Sequence, residues 1–268
     1  MINVPLRVDE STKAKVLPKS INLHLQKGIT MKPIIPLPGE DLLELGKRCN
    51  AVYVCPKVGS ERKGPLVAYA GIDGRGRNLV GDIYFNFRRI EVHPKVVEAF
   101  AEAAYQKLCD QGLIDSFDTV CGIPQGGRTF GQILALVAGK RFAYADKKPK
   151  PTEVGKKQEY SWDLSQFDFE QGERVAIAED VYNNFQNTDN TLAEIAVTGA
   201  KIALLVGALN RSPIYDTSYK GFPVIASIRE AYPEYDQYDP AVAADIAAGK
   251  LELEVKKNWA RLVAAMQQ

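Results

Sequence analysis

Two neighbouring carboxylates, Glu179 and Asp180, directly follow the apolar residues Val175, Ala176, Ile177 and Ala178. A continuous apolar run of this kind reads as a buried strand over 174–180, with the acids at its tip. Successive strand residues point to opposite sides, so two adjacent acids cannot both be ordinary charges on one solvated face. At a strand end above a helix N-terminus, they suit the hydroxyls of a ribose or a Mg2+ ion held through oxygen ligands. After a polar connection, Thr188, Asp189, Asn190 and Thr191 lead into a helix predicted over 190–200. Their hydroxyls and the first backbone N–H groups of that helix would meet a phosphate. Asp189 or Asn190 would also serve as the helix cap, and beside a phosphate the Asp189 carboxylate has to cap the helix or point away.

Two further loops carry suitable chemistry. In Cys-Gly-Ile-Pro-Gln-Gly-Gly-Arg (121–128), Gly126 and Gly127 would let backbone N–H groups approach an anion at a helix start, with Arg128 adding a cation. The stretch 146–162 is polar and carries Lys147, Lys148, Lys150, Lys156 and Lys157, a basic loop able to close over a polyanion. Histidine chemistry is poorly supplied, since the chain has only His24 and His93, and His93 precedes Pro94 at a helix start as a capping or entry residue. The four cysteines, 49, 55, 109 and 121, lack metal-ligand spacing, and Cys109 and Cys121, set in apolar stretches, read as buried thiols.

The elements that must position these residues follow from the pattern. With 268 residues the chain has room for one large domain or two small ones. Lys and Arg number 34 against 33 Asp and Glu, a balance that argues against nucleic-acid binding. No apolar run reaches the roughly 20 residues that cross a bilayer, and Met-Ile-Asn-Val-Pro-Leu-Arg-Val lacks a secretory leader's pattern, so a cytoplasmic protein is expected. A strand is predicted over 21–25 and a helix over 39–49. Strands over 51–57 and 64–72 are expected to form an antiparallel hairpin. From 93 onward, helices (93–112, 128–140, 190–200) alternate with apolar strands (118–123, 141–145, 174–180, 201–210, 222–228), the mark of a parallel sheet covered on both faces. Two more helices are predicted beyond residue 238. The expected architecture is one α/β domain with an N-terminal subdomain.

The acid pair, its connecting loop and the Thr-rich turn resemble the 5-phosphoribosyl-1-pyrophosphate (PRPP) motif of the type I phosphoribosyltransferases. The glycine loop at 122–127 and the basic loop at 146–158 precede it in the order found in that family. Asp-Lys-Lys-Pro-Lys-Pro-Thr-Glu-Val-Gly, the aromatic segment Gly-Asp-Ile-Tyr-Phe-Asn-Phe (81–87) and Arg211 after the strand 201–210 bring it closest to the orotate phosphoribosyltransferases. The resemblance implies a Rossmann-like parallel-sheet core over 81–230, a hood-like N-terminal subdomain over 1–80 and a C-terminal helical extension over 231–268. It implies that Glu179 and Asp180 hold the ribose hydroxyls of PRPP, directly or through Mg2+. Asn187, Thr188, Asp189, Asn190 and Thr191 would cradle the 5-phosphate, and Gly126, Gly127 and Arg128 would face the pyrophosphate. Lys147, Lys148 and Lys150 would meet the leaving pyrophosphate, one or more of them acting across a homodimer interface, while Tyr84 and Phe85 flank a base whose carboxylate pairs with Arg211. Orotate as acceptor, another nucleobase (a purine or uracil), and a non-catalytic PRPP or nucleotide sensor all remain open on these residues.

Overall fold

The computed structural model describes residues 32–151 and 160–267, and the account below concerns the compact unit that begins at Pro33. The strand predicted over 21–25, His24, Lys156 and Lys157 lie outside the described residues.

The N-terminal part opens with helix α1 (Leu42–Arg48), capped by the Asp41 carboxylate, which accepts from the N–H groups of Leu43 and Glu44 at 2.8 and 3.1 Å. Five short strands and a sixth at the edge of the site follow: β1 (Val52–Val54), β2 (Lys57–Val58), β3 (Glu61–Arg62), β4 (Leu66–Ile72), β5 (Asn78–Gly81) and β6 (Ile83–Phe85). The hairpin expected from 51–57 and 64–72 is not formed. The linking residues fold on themselves, β2 against β3, around Gly59 at φ +60°, so the flanking strands diverge. Instead β1 pairs antiparallel with β6, setting Tyr53 opposite Tyr84, and β4 pairs with β5.

The central sheet starts with β7 (Thr119–Gly122) and β8 (Arg141–Tyr144), and its strands are interleaved with helices. Helix α2 (Arg88–Glu91) is a single turn, and α3 (Pro94–Asp110) starts with Pro at its first position. Helix α4 (Gly126–Ala138) ends on Gly139 at φ +64°, a left-handed stop that only glycine adopts without cost. Between β8 and the next core strand, the basic stretch forms the antiparallel arms β9 (Asp146–Pro149) and β10 (Tyr160–Asp163), which correct the expected open loop at both ends. Then come β11 (Arg174–Tyr182), α5 (Gln186–Thr198), β12 (Lys201–Asn210), β13 (Ser218–Tyr219) and β14 (Phe222–Arg229). The strand order is β13-β14-β12-β11-β7-β8, six strands parallel except at the β13 edge. The α/β fold expected from the alternating pattern is the one observed.

Both faces of the sheet are buried. Ala176 and Ala178 of β11 pack with α3 and α4 in one core, whereas Val175 and Ile177 pack with Ile195 of α5 and Trp162 in the other. That alternation carries through to the strand tip and decides where the acids go. The chain closes with α6 (Ala243–Ala247), β15 (Leu251–Glu252) and α7 (Trp259–Ala265), shorter helices than the pattern predicted. Strand β15 pairs parallel with β4, and Trp259 and Leu262 pack with Tyr53, Val67 and Tyr69, so the C-terminal segment covers the N-terminal strands.

Candidate active site

A cavity of about 450 Å3 opens beyond the carboxyl end of β11, where parallel α/β sheets bind their ligands. Glu179, Asp180, Gly126, Lys147, Asn187, Tyr84, Phe85 and Arg211 all line it, although the chain delivers them from six separate segments. Glu179, on the Ile177 side of the strand, faces the start of α5. Asp180, on the Ala178 side, faces the start of α4, where a Cβ on Gly126 would overlap its carboxylate. A Cβ on Gly127 would lie 3.0 Å from the Glu179 Cα and closer still to the Ala178 carbonyl. The paired glycines therefore let α4 approach the acids, a packing reason as well as an anion-binding one.

Neither acid forms an ion pair among the described residues. Burial pushes the Glu179 carboxyl well above the usual range and Asp180 repels its charge further, while Asn187 and Thr188 oppose the shift. Burial also raises Asp180, opposed by the Val181 backbone and by the charges of Lys256 and Arg88. Glu91 is raised too, first by burial and then by Asp180. Concentrated carboxyl oxygens without a direct ion pair attract hydroxyl donors or a divalent cation. The described residues hold no cluster of three or more acidic, His or Cys side chains built as a metal cage. Two carboxylates suit Mg2+ arriving on a substrate's phosphates, because that ion keeps most of its coordination from water and phosphate.

Arg88, Lys147, Arg211 and Lys256 supply the cationic part of the same lining, and the charges of Arg88 and Lys256 act on Asp180. Arg211 is 5% exposed, lies 3.8 Å from the Tyr69 ring centroid and reaches Glu234 at 3.5 Å with Nη2, while its buried Nη1 has no partner. An orphaned guanidinium nitrogen at a cavity wall is an anion receptor in waiting. Tyr84 is held from behind by Trp259, edge-on at 5.9 Å, and burial with the nearby Asp180 charge raises its phenol to about 12. Phe85 leans on Tyr232 at 5.8 Å. Lys147 lies over the Tyr160 ring at 4.2 Å.

The phosphate end departs from expectation. Helix α5 begins at Gln186, so Thr188, Asp189, Asn190 and Thr191 lie inside its first turns and not in a turn before it. The reason is Phe185, which takes a left-handed backbone (φ +59°) and stacks between Tyr182 (4.6 Å) and Tyr219 (4.4 Å), starting the helix earlier. Thr188 and Thr191 are fully buried, and Asp189 points away from the cavity, accepting from the Tyr219 hydroxyl at 2.9 Å and Lys220 at 2.7 Å. The residues that reach the cavity from this end are Asn183, Asn184, Phe185, Gln186 and Asn187. Arg128 turns aside as well: it pairs with Asp146 and lies 3.6 Å over the Tyr144 ring. Lys148 pairs with Asp163, and Lys150 is exposed just beyond β9. His93 stands at the N-cap position of α3 as expected, its carbonyl accepting from the Val96 and Val97 N–H groups, while its ring does not cap the helix and its Nδ1 accepts from the Ile34 N–H at 3.1 Å. The cysteines are free; Cys121 is buried as expected, Cys109 is only half-buried, and Cys49 and Cys55 are buried as well.

No family model matches the chain. A curated orotate phosphoribosyltransferase of Bradyrhizobium diazoefficiens is 28% identical over 133 residues, covering 48% of this chain and 68% of that protein. Among solved structures, the orotate phosphoribosyltransferase of Aeropyrum pernix is similar at 16% identity and TM-score 0.46, covering 70% of this chain and 93% of that one. The adenine phosphoribosyltransferase of Thermoanaerobacter pseudethanolicus is similar at 14% identity and TM-score 0.43, covering 60% and 95%. The resemblance to the type I phosphoribosyltransferases read from the acid-pair motif is thus matched by a sequence comparison over 133 residues. Within that class its curated match is to an orotate phosphoribosyltransferase. No helix among the described residues is long and apolar enough to cross a membrane.

Proposed function

We propose that this chain transfers the 5-phosphoribosyl group of PRPP to a pyrimidine base, orotate, releasing pyrophosphate. The observation that carries this reading is the convergence of Glu179 and Asp180 with Tyr84, Phe85 and Arg211 on one cavity. The acids grip the ribose hydroxyls, with the 5-phosphate at the start of α5 beside Asn183 to Asn187. The aromatic pair flanks a planar ring, and the free Nη1 of Arg211 takes the carboxylate that distinguishes orotate from uracil or a purine.

The bond that forms joins a ring nitrogen of the base to the anomeric carbon; the bond that breaks joins that carbon to the pyrophosphate oxygen, which leaves with the electron pair. Positive charge develops on the ribose in the transition state, close to the Glu179 and Asp180 carboxylates. The ring N–H proton of orotate leaves as the new bond forms, taken by solvent or by the departing pyrophosphate, so the chain needs no histidine base, in keeping with the described lining, which contains none. Lys147 and Arg88 face the departing pyrophosphate. Glu179 and Asp180 would hold Mg2+ that enters with PRPP, and the ion supplies neutralisation of leaving-group charge. Catalysis rests on positioning, charge stabilisation and exclusion of water.

A pyrophosphate-release assay with PRPP, Mg2+ and a panel of free bases tests this. Turnover with orotate and not with uracil, adenine or hypoxanthine is expected. Turnover with a purine, or nucleotide binding without turnover on any base, overturns it.

A further inference from the structure

We propose that Lys256, delivered by the C-terminal segment, is a cation that contacts the pyrophosphate group of PRPP in this cavity. The inference rests on the PRPP reading above, and adds to it a residue from outside the parallel-sheet core.

The segment that carries Lys256 is fixed at both ends. Strand β15 is zipped to β4, and the Glu252 carboxylate, 4% exposed, accepts from the Glu254 N–H and the Asn258 side chain, both at 2.9 Å. On the far side, Trp259 is buried and donates its indole N–H to the Asn50 carbonyl at 2.8 Å. Val255 is buried against Tyr53 and Tyr69 in the same cluster. With 255 and 259 inside, the turn between them presents Lys256 to the cavity, whose lining it joins beside Tyr84, Arg88 and Asp180.

Its neighbour shows what an ordinary surface lysine does here. Lys257 pairs with Glu254 at 2.9 Å, whereas Lys256 makes no salt bridge among the described residues. Arg88 and Lys256 are also the two cations whose charges act on both Asp180 and Glu91, so they flank the same wall from two elements distant in sequence. A pair of cations converging beside a diol-binding acid, with the leaving-group side of the ribose next to it, suits a diphosphate better than a single phosphate or a neutral ring.

The test compares wild type, Lys256→Ala, Lys256→Arg and Lys257→Ala by calorimetric titration with inorganic pyrophosphate and with PRPP, each with Mg2+, and by steady-state kinetics on the responsive base. Lys256→Ala is expected to weaken pyrophosphate binding and raise KM for PRPP roughly tenfold, with KM for the base and the melting temperature unchanged. Lys256→Arg should restore most of the loss, and Lys257→Ala should behave as wild type. Wild-type affinity in Lys256→Ala, or an equal loss in Lys257→Ala, overturns the role of Lys256 while leaving the PRPP reading intact. A wild-type protein that binds no PRPP overturns that reading, and this inference with it.

Discussion

The hydrogen at Cα of Gly126 and the carboxylate of Asp180 share a space that no side chain could enter, because a Cβ at 126 would overlap both Asp180 oxygens' positions and its carboxyl carbon. The start of α4 and the tip of β11 are thereby locked into one wall of the cavity. Replacing Gly126 with Ala must push either the helix or the acid aside. A misplacement of about 1 Å costs on the order of a hundredfold in rate at a site that works by positioning. We expect Gly126→Ala to lower kcat/KM for PRPP by about that factor; an unchanged value would separate Asp180 from substrate binding.

Glu179 sets function against stability. Its folded-state pKa is raised by burial and by Asp180, so the folded protein holds a proton that the unfolded chain releases near pH 4, about the ordinary carboxylate value. Stability is therefore complete below that unfolded value and declines as pH rises toward the raised one. Glu179→Gln should melt higher than wild type at pH 8, by about 1 kcal/mol, and no differently at pH 4. The same variant should lose PRPP binding. Equal melting of the two proteins across the range would show that the carboxyl is not destabilised by its site.

Arg211 carries base selectivity in this account. Removing its guanidinium with Arg211→Gln is expected to raise KM for orotate tenfold or more, about 1.4 kcal/mol, and to leave KM for PRPP nearly unchanged. Parallel increases in both constants would assign Arg211 to the fold, through its stacking on Tyr69, and not to the base.

A structural prediction concerns Arg62, which ties the N-terminal strands to the C-terminal segment. Its guanidinium, 8% exposed, meets Asp82 and Asp245 at 3.0 Å each and the Ala241 carbonyl at 2.7 Å. Burial disfavours the Asp82 charge, yet Arg62 and Lys57 hold its pKa below the usual value, so this contribution is present above about pH 4 and lost as pH falls. Arg62→Ala leaves the half-buried Asp82 and Asp245 with only Lys57 and Lys250 as cationic partners and should cost about 1.5–3 kcal/mol in denaturant unfolding at pH 7. A loss below 1 kcal/mol would show that the network is not a tie between the segments.

Legibility followed the range of the interactions. The β11 run could be read because both faces of a parallel strand are buried, and the placement of Glu179 and Asp180 followed from the two-residue period alone. Arg88 directly follows the aromatic segment 81–87, and nothing local distinguishes an arginine at a cavity wall from one in solvent. Lys256 left no local signal at all: it reaches the site only because β15 pairs with β4, nearly two hundred residues earlier in the chain. The start of α5 was misplaced by four residues because Phe185 adopts a left-handed backbone usually left to glycine or asparagine. Its stacking with Tyr182 and Tyr219 holds it there, and that is a tertiary effect. The hairpin between 51–57 and 64–72 failed for a similar reason, since β6 competes for β1 from beyond the turn.

The claim beneath all of this is that two adjacent carboxylates at the end of β11 bind the ribose of PRPP. Calorimetric titration of PRPP with Mg2+ into wild type and into the double variant Glu179→Gln/Asp180→Asn addresses it directly. The account predicts micromolar binding by wild type, with proton release as the raised carboxyls ionise, and no measurable binding by a double variant that melts at or above the wild-type temperature. Undiminished PRPP affinity in that variant would contradict it.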